Sequence, residues 1–114
     1  MVRIYHNSRC SKSRATLALL EQRGEVVEVI DYLEHPPGVN ELKRLLEQLG
    51  MSPRQLLRTG EAEYAALGLD DPSLDEASLL AAMVAHPRLI ERPIVVANGK
   101  AAIGRPPEAV LAIL

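Results

Sequence analysis

The chain carries one cysteine, and its surroundings favour reactivity. Cys10 lies between a run that reads as a short buried strand and a tight loop, Val2-Arg3-Ile4-Tyr5-His6-Asn7-Ser8-Arg9, and one that reads as the start of a helix, Ser11-Lys12-Ser13-Arg14-Ala15-Thr16-Leu17. A thiol at a strand-to-helix junction faces free backbone N–H groups and the positive end of a helix dipole. Both favour the thiolate, which is the nucleophilic form. The alternative is a buried cysteine acting as a small hydrophobe. The adjacent Arg9, Lys12 and Arg14 make the loop cationic and polar and argue against that alternative.

Spacing removes several cysteine chemistries. A C-x-x-C dithiol needs a second thiol where Ser13 stands. A phosphatase loop needs an arginine where Thr16 stands. A cysteine/histidine zinc site needs clustered ligands, whereas His6, His35 and His86 are scattered. What remains is a single thiolate at a cationic turn. Ser13 lies one helical turn beyond Cys10, where its hydroxyl fits either a donor to the sulfur or a helix-capping group. His6 closes the first strand and fits either a partner of the thiolate or substrate, or a histidine bonded to backbone.

Three arginines occupy unusual positions. Arg58 follows Leu56-Leu57, Arg92 precedes Pro93, and Arg105 stands between Gly104 and Pro106. Taken singly, each reads as a solvated surface residue. Arg92 and Arg105 bracket a hairpin, however, and therefore share one end of a sheet. Together the three guanidinium groups can fork onto an oxyanion beside Cys10 and offset its repulsion by the thiolate.

The elements that would position these groups follow from pattern. After Cys10 a helix runs to Arg23, with Leu17 and Leu20 inward and Gly24 as its stop. Val26 to Tyr32 is rich in β-branched residues and reads as a second strand, parallel to the first. Leu42, Leu45, Leu46 and Leu49 share one helical face that Gly50 ends. Ser52-Pro53 with Gln55 forms a capping box, Glu61 to Leu67 a short helix, and Ser73 with Glu76 a second capping box before Leu79, Leu80, Met83 and Val84. Pro87 makes His86 a boundary. Ile94 to Ala97 and Lys100 to Ile103 flank Asn98-Gly99, a strong hairpin signal. Pro106-Pro107 then opens a terminal helix. The expected architecture is α/β: a thioredoxin-like βαβ–ββα sheet, with a helical insertion over about residues 38–86 between the second and third strands. Residues 1–114 would form a single domain.

Composition bounds the partners. Thirteen basic and 15 acidic residues give a net charge of -2, which offers no general attraction to nucleic acid or anionic membranes. Aromatic residues make up 3%, all tyrosine, too few for a base-stacking platform. No apolar stretch is long enough to span a bilayer, and no signal peptide is evident. One cysteine admits no internal disulfide, so a reducing compartment, the cytoplasm, is expected.

The run His6-Asn7-Ser8-Arg9-Cys10-Ser11-Lys12-Ser13-Arg14 resembles the active-site loop of glutaredoxin-dependent arsenate reductases, within the wider family of ArsC-like proteins. So do Asp31-Tyr32-Leu33-Glu34, Leu56-Leu57-Arg58, His86-Pro87-Arg88-Leu89-Ile90-Glu91-Arg92-Pro93-Ile94-Val95-Val96 and Ile103-Gly104-Arg105-Pro106, in the family's order. Ser11-Lys12 replaces the Gly-Thr pair that follows the cysteine in well-studied members. The resemblance implies that Cys10 is the nucleophile, that Arg58, Arg92 and Arg105 are oxyanion ligands, and that His6 and Ser13 support the thiolate. Arg92-Pro93 matches a position where the family's proline is cis. The implied activity is reduction of a tetrahedral oxyanion, arsenate. Glutathione would be the co-substrate and glutaredoxin the partner, with no tightly bound cofactor or metal. Two other functions fit an ArsC-like chain: a regulatory or binding protein, whose members usually carry the C-x-x-C switch that Ser13 removes, or a glutathione-linked thiol oxidoreductase.

Overall fold

Val2–His6 forms β1, and its burial pattern identifies it as a central strand. Val2, Ile4 and His6 on one face are buried, and on the other Tyr5 is buried while Arg3 is exposed, so both faces are covered toward the His6 end. The computed structural model describes Met1–Leu114. In it β1 pairs in parallel with β2 (Val27–Asp31) and antiparallel with β3 (Ile94–Ala97), which pairs in turn with β4 (Lys100–Ile103). The resulting order is β2-β1-β3-β4. Helix α1 (Ser11–Gln22) supplies the crossover between the two parallel strands. The expected thioredoxin-like βαβ–ββα arrangement is present, and the helical residues fall between β2 and β3.

Register determines what meets at each end of the sheet. His6 lies opposite Asp31, Tyr5 opposite Ile94, and Ile94 opposite Ile103. The exit of β1, the entry of β3 and the exit of β4 therefore share one edge. The loop to Cys10, the Arg92-Pro93 peptide and Gly104-Arg105 all begin there. The Arg92-Pro93 and Arg105-Pro106 peptides are both cis. At the opposite edge Asn98 (φ 54°) and Gly99 (φ 73°) make a two-residue turn of the primed type, which needs positive φ at both positions. Asn98 Nδ2 also donates to the Ile113 carbonyl at 2.8 Å and ties down the C-terminal segment.

The chain gathers into two units. The first comprises Met1–His35 with Arg92–Leu114, and the second Pro36–Glu91. In the first, Val2, Ile4, Val95 and Ala97 from the sheet pack with Leu20 of α1 and Val110 of the C-terminal segment. That segment, Pro107–Ile113, is the anticipated terminal helix and is of 3₁₀ type. It seats Val110 in the core, and Pro107 at its first position has no N–H to leave unpaired.

The second unit is helical. Its α2 (Val39–Leu49) buries Leu42, Leu45 and Leu46 and ends on left-handed Gly50. One-turn α3 (Pro53–Leu56) has the anticipated capping box: Ser52 Oγ accepts the Gln55 N–H, and Gln55 Oε1 accepts the Ser52 N–H. α4 (Ala62–Ala66) is followed by α5 (Glu76–Ala85), which packs on α2 and α3 through Leu79, Leu80 and Met83. One anticipated cap differs. Asp75, not Ser73, caps α5, and its carboxylate accepts the Ser78 N–H at 2.8 Å. Ser73 is already committed to Asp71 Oδ1, to which it donates its N–H (2.9 Å) and its hydroxyl (2.7 Å). A charged acceptor one residue before the helix is the stronger cap.

Leu20→Ala tests the first core. Leu20 is fully buried against both β1 and β3 neighbours. The substitution is expected to cost about 2–5 kcal/mol in urea unfolding, and a cost near zero would contradict this packing.

Candidate active site

The loop after β1 is built by Asn7. Its carbonyl accepts the Cys10 N–H at 3.0 Å, and its Oδ1 accepts the Arg9 N–H at 3.0 Å. This tight turn delivers Cys10 in extended conformation (φ −91°, ψ 122°) at the cap position of α1, with its carbonyl accepting the Arg14 N–H. The sulfur is partly exposed. Arg105 Nη2 lies 3.6 Å from it, and Arg105 Nε donates to the Arg92 carbonyl at 2.8 Å. The Arg92 guanidinium also hydrogen-bonds the sulfur.

These contacts determine the charge on Cys10. Burial is the largest single influence and pushes its pKa up. Opposing it are the Ser13 N–H, the Arg92 hydrogen bond, the Lys12 N–H and the Arg92 charge. Together they prevail and hold the thiol below its ordinary value. Neither N–H is aligned as a full side-chain cap, so the helix terminus acts jointly with the guanidinium groups rather than alone.

His6 and Ser13 form a network next to the sulfur. Ser13 Oγ accepts the Asn7 N–H at 3.0 Å and lies 2.6 Å from His6 Nδ1. The hydroxyl thus takes neither anticipated role. It serves the strand–loop junction, Cys10 holds the cap position, and the Ser13 backbone N–H is what faces the sulfur. His6 is paired across the ladder with Asp31. Burial depresses its pKa most, Asp31 opposes, and Arg14 adds to the depression. The net shift is downward, so His6 is neutral at pH 7 and its Nδ1 can accept from the Ser13 hydroxyl.

Five of the six residues singled out from sequence (His6, Cys10, Ser13, Arg92 and Arg105) belong to the first unit, and their contacts are those just described. Arg58 belongs to the second. There Leu57 bridges Ile90, the Arg58 N–H donates to the Leu89 carbonyl at 2.8 Å, and the Glu91 N–H donates to the Leu56 carbonyl at 3.0 Å. This pairing sets Arg58 against Glu91, with Nη1 2.8 Å from Oε1, while Arg58 Nε lies 3.3 Å from Glu61 Oε1. Sequence reasoning missed both carboxylates. Glu61 carried a signal, three residues after Arg58, whereas Glu91 is revealed only by the bridge. It also missed Asn7, whose side chain bonding two residues ahead is a recognisable turn signature.

A sequence model of the ArsC family matches residues 5–113. The chain belongs to the ArsC family. It is 54% identical over 114 residues to an arsenate reductase of Neisseria meningitidis, covering 99% of this chain and 97% of that protein. It is 58% identical to the uncharacterized protein YfgD of Escherichia coli K12, covering 99% of this chain and 96% of that one. The solved structure of an arsenate reductase from Vibrio cholerae superposes with a TM-score of 0.97 at 58% identity, covering 99% of this chain and 97% of that chain. The likeness extends over both units of this ArsC chain.

The charge on Cys10 can be measured directly. The iodoacetamide alkylation rate follows the thiolate fraction, so its pH midpoint is expected below that of a free cysteine thiol. Arg92→Ala removes a stabilising charge and moves the midpoint up. A wild-type midpoint at the free-thiol value would refute the electrostatic account.

Proposed function

We propose that this ArsC-family protein reduces arsenate to arsenite, using glutathione as co-substrate and glutaredoxin as protein partner. The observation that carries this reading is the partly exposed Cys10 sulfur with Arg105 Nη2 3.6 Å away and Arg92 beside it. It occurs in a chain 54% identical to a protein named arsenate reductase. A thiolate alone repels an oxyanion. Adjacent guanidinium groups attract the anion and stabilise the charge that develops during attack.

In the first step the Cys10 thiolate attacks arsenic, a sulfur–arsenic bond forms, and one arsenate oxygen leaves as water. The thiol of glutathione then bonds to arsenic and releases a second water. Glutaredoxin's thiolate attacks the glutathione sulfur, and the arsenic–sulfur electron pair stays on arsenic. Arsenic passes from the +5 to the +3 state, while two sulfurs are oxidised to a glutaredoxin–glutathione disulfide. Water cleaves the remaining bond to Cys10 and frees arsenite. Every step before that hydrolysis is an attack by sulfur, and the hydrolysis expels the Cys10 thiolate, which favours a Cys10 that ionises readily and leaves readily. With one cysteine in the chain, the second thiol must come from outside.

Arg92 and Arg105 serve as oxyanion ligands in this reading. His6 and Ser13 hold the turn that presents Cys10. Arg58, a third oxyanion ligand by the resemblance alone, is ion-paired within the second unit to Glu61 and Glu91. A reducing compartment, the cytoplasm, suits a lone reactive thiol. No helix is long and apolar enough to cross a membrane.

The test is coupled turnover with arsenate, glutathione, glutaredoxin, glutathione reductase and NADPH. Wild type is expected to consume NADPH in an arsenate-dependent manner, and Cys10→Ser to abolish it. Arg105→Ala should lower kcat/KM by about 10²–10³-fold, as loss of one charge-stabilising donor does, with little change in melting temperature. Absence of arsenate-dependent turnover in the wild type would overturn the assignment.

A further inference from the structure

Three polar side chains are buried in this protein, and all belong to the first unit: His6, Ser13 and Thr16. His6 and Ser13 satisfy one another beneath the Cys10 turn. Thr16 has no part in that network. It is fully buried on α1, and its hydroxyl donates to the Lys12 carbonyl at 2.8 Å, with the Gly104 carbonyl at 3.5 Å. It therefore touches two segments at once. One is the first turn of α1, whose Lys12 and Ser13 N–H groups stabilise the sulfur. The other is the exit of β4, one residue before Arg105.

Gly104 is unlike the other glycines. At the other six positions a Cβ would meet nothing within 4 Å. At Gly104 it would collide with Thr16 Oγ1, approach Pro93 Cγ to 2.8 Å and Thr16 Cγ2 to 3.0 Å. The Gly104 N–H donates to the Pro93 carbonyl at 2.9 Å, so the β4 exit is seated on the Arg92-Pro93 segment as well as on α1. Arg105 leaves this seat with its Nε on the Arg92 carbonyl and its Nη2 3.6 Å from the Cys10 sulfur.

We propose that Thr16 and Gly104 are positioning residues. The Thr16 side chain against the bare Cα of Gly104 docks the β4 exit onto α1 and thereby sets the reach of Arg105 to the Cys10 sulfur. The proposal deepens the oxyanion-reductase reading, but its primary readout needs no arsenate. A Cβ at position 104 must push the β4 exit away from α1, and a guanidinium already at 3.6 Å loses its hold on the sulfur with a small displacement.

The experiment compares Cys10 alkylation by iodoacetamide across pH in wild type, Gly104→Ala, Arg105→Ala and the Gly104→Ala/Arg105→Ala double variant, with folding monitored by circular dichroism. Gly104→Ala is expected to raise the midpoint and slow alkylation at neutral pH severalfold, by nearly the factor that Arg105→Ala produces. The double variant should be no slower than Arg105→Ala alone, because both changes remove one interaction. Thr16→Ala removes two of the three obstructing atoms, so Gly104→Ala/Thr16→Ala should regain much of the rate. A wild-type midpoint in Gly104→Ala, or losses that simply add, would overturn the proposal. If Gly104→Ala alone does not fold, the Gly104→Ala/Thr16→Ala pair decides, since alkylation as slow as in Arg105→Ala would exclude the Thr16 contact as the control. Absence of arsenate turnover in the wild type would remove the functional reading and leave these alkylation results standing.

Discussion

The need for a partly buried sulfur to take a negative charge is the constraint on which the rest of the site depends. Desolvation works against it more strongly than any single favourable contact works for it. The thiolate form is favoured by a sum: two N–H groups from the first turn of α1 and guanidinium contacts from segments some eighty or more residues away in sequence. A helix terminus by itself supplies a fraction of a charge. Arginines by themselves would need something to hold them near a strand exit. The sheet register supplies that, because the exit of β1, the entry of β3 and the exit of β4 fall on one edge.

The antiparallel β3–β4 hairpin accordingly does more than complete the sheet. Its tight Asn98-Gly99 turn fixes Ile94 opposite Ile103. The residues just outside the ladder, Arg92-Pro93 and Gly104-Arg105, are thereby brought together. The Arg105 Nε bond to the Arg92 carbonyl and the Gly104 N–H bond to the Pro93 carbonyl then join the two segments directly. A slip of one residue in this pairing would break the juxtaposition of Arg92-Pro93 and Gly104-Arg105.

Much of this was legible in the sequence where local chemistry dictates local structure. The β-branched run of β2, the Leu42/Leu45/Leu46 stripe, the Ser52 capping box and the Asn98-Gly99 hairpin each have a short-range cause, and each is present. The cysteine's place at a strand-to-helix junction was legible for the same reason. Roles that depend on where a side chain turns were not. The Ser13 hydroxyl had two local options, and the buried Nδ1 of His6 drew it into a third. The choice of Asp75 over Ser73 as a cap turned on a competing acceptor at Asp71. The Arg58–Glu91 pair depends on a bridge between Leu57 and Ile90, and no pattern in either segment announces it.

The placement of buried polar groups explains how the sulfur remains available for chemistry. A cysteine whose thiolate accepted every nearby hydroxyl would be stabilised but blunted, because each strong donor also lowers nucleophilicity. Here the two buried hydroxyls are turned aside: Ser13 Oγ to His6 and the Asn7 N–H, Thr16 Oγ1 to the Lys12 carbonyl. Both are fully buried, so leaving either unsatisfied would cost about 1–3 kcal/mol. Their internal bonds meet that need while stiffening the turn and the first two turns of α1. The sulfur is left with backbone N–H groups and guanidinium donors. The guanidinium groups can also serve an incoming oxyanion, since each carries several N–H donors in a planar fork. In the proposed reaction, the donors that favour a charge on Cys10 before attack are therefore the same ones able to balance the incoming anion.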